Sequence, residues 1–504
     1  MEGSSLGDLL QYPRLIQMML ILGIGGSLQV GFQASMITYT SVHVKALINE
    51  TFLERSGLPA PPSTLTLLWS SIVSVFGLGG LLGSMASGHL TTKYGKKNCL
   101  LGNNVLMVAS AFLLGVCKAA RSFELLLVGR FFCGLSSGLC IVLHPQYLGE
   151  ISPKALRGCA SSTASLFWSL GKVIGQVLGQ SELLGNATLW PLLMAFGGIA
   201  ATIQLLTLPF FPDWIVSLVW LLSLSLSLSF AAMKTLWGEK HHHHHQAELD
   251  DLRRQQAAQQ SSRRRGILEV AKDPSLRWQM YILVLSGVAL QLSGIQAIYA
   301  YTFEVLSTAG FHQDDIPYLS LGVSTSELLS AVLCSFIIEH SGRKVLLWGG
   351  YGLMATVLAL LTLTLSLQHW FFWMPYCSLS LIFCFVICFG LGPAGATTSV
   401  RMEIFDQTSR VSAFVISGVL NWAGFFVMGM AFPFIMESLQ HFSFLVFMGA
   451  LYGSGLLFYL FLPETKQKSI LEIQEEFDKL NFKMKWVVIA EANVLEKHAF
   501  CTKL

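Results

Sequence analysis

Gln29, Gln33, Gln176, Gln291, Gln296 and Asn421 stand inside stretches otherwise rich in Leu, Ile, Val, Phe and Gly. A carboxamide carries donors and an acceptor on one flat group, so a row of amides suits a neutral polyol whose hydroxyls both give and take hydrogen bonds. Facing lipid, these groups would be costly, which puts them on a bundle interior or along a wet cavity. Taken singly, each amide also fits a hydrogen bond that joins two helices. Tyr299, Tyr301, Phe389 and Trp422 supply rings that can pack on the apolar C–H face of a polyol while amides hold its edges. Each ring singly also fits ordinary packing. The chemistry on offer is reversible recognition: no catalytic constellation stands out, and neither an enzyme nor a cofactor is expected.

Glu327 is a carboxylate well inside an apolar stretch, where a bare charge is expensive and usually functional. Three roles stay open for it: an acceptor for substrate hydroxyls, a proton or cation coupling group, or a structural carboxyl. Lys172 is a candidate counter-charge, although its long stem can also snorkel.

A second set of polar residues sits at the ends of the apolar stretches, and it occurs twice. Tyr94-Gly95-Lys96-Lys97 is answered by Ser341-Gly342-Arg343-Lys344. Glu150 and Arg157, seven apart, are answered by Glu403 and Arg410, also seven apart. The duplication predicts a gate in which these residues pair with Arg130, Arg343 or the basic loops when one side is shut, and separate when two halves rock apart. Plain topology charges with weak surface pairing are the alternative.

These residues need elements to hold them. A hydrophobic share of 53% with 12% charged residues excludes an ordinary soluble chain of 504 residues. Twelve apolar stretches are long enough to cross a bilayer as helices: 16–37, 67–90, 99–117, 123–145, 159–180, 189–211, 280–300, 318–339, 345–367, 371–395, 411–433 and 442–462. The first reads as a retained span, not a cleaved leader. The pattern predicts an all-α membrane protein of two parallel repeats: a bundle over 12–212, a connector over 213–279, a second bundle over 280–463 and a tail over 464–504. The Lys and Arg clusters fall on one side of this arrangement, together with both termini, and the positive-inside rule makes that side cytoplasmic. The loop 38–66 then faces outward with the sequon Asn49-Glu50-Thr51, a glycosylation candidate; Asn186-Ala187-Thr188 is a second sequon, close to the next span.

Residues 213–233 interrupt the pattern with a Leu/Ser run that has no helical face. A crossing there would invert the charge distribution, so a surface-lying or re-entrant segment is expected. The run His241 to His245 has no surrounding ligands, and ten cysteines, many in apolar stretches, show no ligand or disulfide spacing; no metal site is expected. Short polar helices are expected near Glu248 to Arg254 and around Glu472 to Lys483.

At the gate residues the chain resembles a known family. Gly129-Arg130, Pro145-Gln146-Tyr147-Leu148-Gly149-Glu150 and Ser152-Pro153-Lys154-Ala155-Leu156-Arg157-Gly158 carry the likeness in the first half. Gln291-Leu292-Ser293-Gly294-Ile295, Gly390-Leu391-Gly392-Pro393, Glu403-Ile404-Phe405 and Pro463-Glu464-Thr465-Lys466 carry it in the second. Together they resemble the facilitative hexose transporters of the major facilitator superfamily, in the branch with fructose and glucose carriers, over roughly 16–212 and 266–485. The resemblance implies the major facilitator fold, a monosaccharide as the ligand, the cell membrane as the setting, and alternating-access uniport. No nucleic-acid partner is implied. Residue by residue, it implies sugar contacts from Gln291 and Gln296, a cavity lined by Gln176, Asn421 and Trp422, and Tyr299 in the part of the seventh span that closes over substrate.

The chain also departs from the family. Leu290-Gln291 replaces a double glutamine, Ser165 stands for a sugar-contacting glutamine, Glu327 for an asparagine, and Thr398 for a tryptophan. A Pro-Glu-Ser-Pro-Arg element expected after the sixth span gives way after Pro212 to Asp213-Trp214 and the Leu/Ser run. Glucose against fructose preference is therefore left open. A proton-coupled symporter and a non-transporting sensor remain as alternative readings.

Overall fold

The computed structural model describes residues 12–152, 156–211, 266–300, 306–307, 310–312, 315–367, 370–439, 442–466, 468 and 472–480. Among them the chain is helical throughout its ordered elements. Pro13–Ser56, Pro62–Tyr94, Lys96–Val116, Phe123–Ile151, Arg157–Leu178 and Trp190–Phe210 are spans 1 to 6. Span 7 is Arg277–Gln291 continued by Ile295–Ala300; spans 8 to 12 are Ile316–Ser341, Arg343–Leu367, Met374–Glu403, Gln407–Leu439 and Ser443–Phe461.

Ten of these are long and apolar enough to cross a membrane. The other two are spans 5 and 7. Span 5 carries Lys172, Gln176 and several serines, and span 7 is broken at Gly294.

Local sequence explains the ends. Proline opens spans 1, 2, 8 and 10 at their first turn, where its missing N–H costs nothing. Gly57, at φ 72°, closes span 1 in the left-handed conformation. Ser122 caps span 4 by accepting from the Leu125 N–H. Large apolar side chains such as Phe112, Leu329 and Leu353 stay exposed on the outside, as a lipid-facing surface requires.

Span 1 corrects one expectation. Its helix runs through a π-helical turn at Gly23–Ser27 and on to Ser56, so most of the expected loop 38–66 is helix. The amphiphilic outer turns of this helix lack the apolar run used to delimit the span, which is why it read as a loop.

Each half builds its own core. Span 2 packs on span 4 and span 1 on span 5 in the first half; span 9 packs on span 12 and span 7 on span 11 in the second. Gly171 permits the span 1 to span 5 approach, since a Cβ there would lie 2.0 Å from the Leu28 carbonyl oxygen. The halves meet along two seams: span 2 against span 11, and span 5 against span 8. At the end that carries Lys96 and Arg343, Val142 of span 4 joins Met402, Phe414 and Val415 in one apolar cluster across the halves. Of the connector, Ile267–Lys272 is a short helix; 212–265 lies outside the described residues, as does the tail after 480. Residues 472–480 form the tail helix, which buries Ile473 and Phe477 in the core of the second half.

Candidate binding site

The span 5 to span 8 seam contains an ion pair. Lys172 Nζ lies 3.0 Å and 2.8 Å from the two carboxylate oxygens of Glu327. Ser169 Oγ donates to Glu327 Oε1 at 3.0 Å, and the Tyr299 hydroxyl donates to Oε2. The Lys172 ammonium also stands 3.8 Å from the centroid of the Tyr299 ring, a cation–π contact. Both charged side chains are sealed, at 7% and 3% exposure. Local geometry explains the convergence. Gly171 is committed to span 1, and a step of one residue turns Lys172 onto a different face of span 5. Gly294, at φ 80°, allows the chain to break and restart as Ile295–Ala300, which carries Tyr299 to the pair.

Lys172 is therefore the counter-charge of Glu327 and does not snorkel. The carboxylate accepts four contacts, which use both of its oxygens twice, so of the three roles open for Glu327 this arrangement favours the structural carboxyl. Ser169, not Ser165, is the span 5 serine beside it.

The amides fall into two groups. Gln291 Nε2 donates to Asn421 Oδ1 at 2.9 Å, joining spans 7 and 11. Gln291 Oε1, Gln29 Nε2, Gln176 Oε1 and Trp422 Nε1 are buried and have no hydrogen-bond partner among the described residues. Buried polar atoms are nearly always satisfied. Two acceptors and two donors from spans 1, 5, 7 and 11 are what a polyhydroxylated ligand would satisfy. The Trp422 ring packs edge-on against Phe76 and lies on Gly80. Gln33 belongs to the other group: its backbone oxygen and Oε1 both accept from Arg130 at 3.2 Å. Phe389 is buried just before the π-helical turn Gly390–Ala394. The side chain of Gln296, and Tyr301 as a whole, lie outside the described residues.

Arg130 is a correction. It was expected at the gate, but it is buried within the first half, near the end of span 4 far from Glu150, over the Phe76 ring at 4.5 Å. Its place in sequence beside Gly129 gave no depth. Arg343 and Glu403 do come together, with Arg343 Nη2 3.1 Å and Nε 3.2 Å from Glu403 Oε1, but both belong to the second half, so this pair does not bridge the halves. Glu464 completes the cluster by accepting from the backbone N–H groups of Arg343, Lys344, Thr465 and Lys466. Arg410 is buried and donates to the Phe405 carbonyl. The side chains of Glu150 and Arg157 lie outside the described residues.

Asn49 sits in the helical outer part of span 1. The Thr51 hydroxyl of its sequon is buried, donating to the Leu47 carbonyl at 2.8 Å. The sequence reading also missed a polar cluster around the π-turn of span 1. Ser27 meets His144 Nδ1 at 2.6 Å, Gln204 donates to the Ile21 carbonyl, and Asn103 donates to Cys140 Sγ. A count of buried polar residue types in spans 3, 4 and 6 would have flagged it.

Comparisons with known proteins agree with this architecture. The profile of the family described as "Sugar (and other) transporter" matches residues 18–477. The chain is 39% identical over 477 residues to the human solute carrier family 2, facilitated glucose transporter member 11, covering 93% of this chain and 95% of the relative. It is 34% identical to human member 5 of the same group, covering 92% of this chain and 91% of the relative. Among solved structures, the proton:xylose symporter XylE bound to 6-bromo-6-deoxy-D-glucose superposes with a TM-score of 0.77 at 18% identity, over 92% of this chain and 99% of that one. The fold is the major facilitator fold, and among the described residues ten of the twelve helical spans are long and apolar enough to cross a membrane.

Proposed function

This chain belongs to the sugar transporter family, and from that premise we propose that it carries a hexose, glucose or fructose, down its gradient by alternating access. One observation supports a sugar as ligand above the rest: polar atoms of Gln29, Gln176, Gln291 and Trp422, buried in four spans drawn from both halves, have no partner among the described residues. A hexose can satisfy donors and acceptors together, and ligands of transporters of this kind bind between the repeats. Gln291 and Asn421 act as one unit, Trp422 offers its ring and its N–H, and Gln296 adds to span 7.

Uniport, not proton coupling, fits the charges. Glu327 is compensated by Lys172, and Arg130 faces the amide of Gln33, so neither buried charge depends on a proton for its partner. The end bearing Lys96, Arg343 and Glu464 is taken as cytoplasmic, with both termini, and the cell membrane as the site of action. Glu150, Arg157, Arg343, Glu403 and Arg410 serve the closure of that end, through order within each half more than through pairs between halves.

Counterflow of labelled glucose and fructose in proteoliposomes tests the proposal. Accumulation against unlabelled sugar of either kind supports it, and flux that is indifferent to a collapsed pH gradient separates uniport from symport. No exchange of either sugar by folded protein refutes it.

A further inference from the structure

We propose that Lys172, Glu327 and Tyr299 form an ionic latch between the halves, which holds the end segment of span 7 closed and must open in every transport cycle. The inference rests on the alternating-access reading. Lys172 belongs to the first half and Glu327 to the second, so their 2.8 Å contact is made across a seam that has to change when the halves pivot. Tyr299 ties a third element to it, because its hydroxyl binds the carboxylate and its ring lies under the ammonium. Its segment, described over Ile295–Ala300, follows a left-handed glycine that breaks span 7 after Gln291.

The saturation of Glu327 is what makes this a latch and not a sugar subsite. Ser169, both Lys172 contacts and Tyr299 use both carboxylate oxygens twice. Sealed from water, the pair is strong while made and leaves two uncompensated charges when parted, so its opening adds to the barrier for reorientation. An empty carrier must break it without help, whereas a loaded one can offset the cost with ligand-binding energy from the amide site. The latch thus slows return of the empty carrier more than exchange of the loaded one. Lys172 and Tyr299 are positioning residues in this scheme.

The test compares equilibrium exchange with zero-trans flux in proteoliposomes. Wild-type counterflow is the control; its failure would concern the transport reading, not the latch. In the neutral double variant K172M/E327Q the exchange to zero-trans ratio is expected to fall roughly threefold or more, the effect of lowering one barrier by less than a tenfold step. The swapped variant K172E/E327K, which keeps an ion pair, is expected to stay closer to wild type. A readout without flux is alkylation of a cysteine placed at Ile298, buried in the closed segment, followed at that residue by peptide mapping. Labelling several-fold faster in the neutral background supports the latch. A wild-type ratio in the neutral variant, a swap no better than neutralisation, or unchanged labelling of Ile298→Cys would each overturn it.

Discussion

Replacing Gln291 with leucine should weaken sugar binding without unfolding the carrier, and the size of the loss follows from its two ends. Its Nε2 holds Asn421 Oδ1 at 2.9 Å, while its Oε1 is buried with no partner among the described residues. If a sugar hydroxyl fills Oε1, Q291L removes one neutral hydrogen bond to substrate, a net loss of about 0.5–1.5 kcal/mol. With 1.4 kcal/mol per tenfold, KM for uptake should rise roughly two- to twelve-fold. Asn421 contributes mainly by fixing the glutamine, so N421L should cost a similar amount, and Q291L/N421L no more than the worse single variant. Initial-rate uptake of both hexoses, normalised to protein at the surface, measures all three. Additive losses in the double variant would show that the two amides serve the sugar separately. An unchanged KM in Q291L would remove span 7 from the site.

Other perturbations have equally definite outcomes. Glu464→Ala removes the carboxylate that takes two backbone N–H groups at the start of span 9 and two in its own turn after span 12, and should lower stability in detergent by about 0.5–2 kcal/mol, read as a lower Tm; a Tm equal to wild type refutes a capping role. Gly171→Val should block assembly of span 1 on span 5, given the 2.0 Å contact with the Leu28 carbonyl, and should appear as loss of monodisperse protein. Because Thr51 is buried in the folded helix, a glycan on Asn49 must be added before span 1 packs; an endoglycosidase-sensitive mobility shift that disappears in N49Q is expected, and its absence in wild type rules the site out. Replacing 213–233 with a charged gate element should raise surface expression and flux, and unchanged flux refutes that expectation.

The spans were legible because lipid imposes one simple condition, a run of about twenty apolar residues, and spans 5 and 7 were read on that condition with the other ten. What composition cannot fix is where a helix stops once it leaves the apolar zone, hence the extension of span 1 to Ser56. Depth is a second limit. Arg130 looked like a gate residue because its charge is visible in sequence while the Gln33 amide and Phe76 face that receive it are not. The Lys172–Glu327 pair was legible as a possibility, since a mid-span carboxylate demands a partner and few cations stand in the spans. That Tyr299 completes it depends on the break at Gly294, a tertiary event with no periodic signal.

The ion pair also bears on why this chain can lose amides and still bind a neutral ligand. An asparagine at the position of Glu327 would offer a donor and an acceptor to a sugar; the carboxylate with its lysine offers neither, as all its contacts are internal. In the proposed site, recognition then falls on Gln29, Gln176, Gln291 and Trp422, whose buried polar atoms have no partner among the described residues. Fewer contacts from span 8 mean weaker discrimination among hexoses that differ in the hydroxyl aimed at it, because no buried group there is left unpaired by the wrong epimer. Glucose and its epimers should therefore compete with one another less selectively than in a variant where K172M/E327N opens an amide at that position. Competition uptake with a panel of hexoses measures this, and a selectivity profile identical in the two proteins would place the span 5 to span 8 seam outside the sugar's reach.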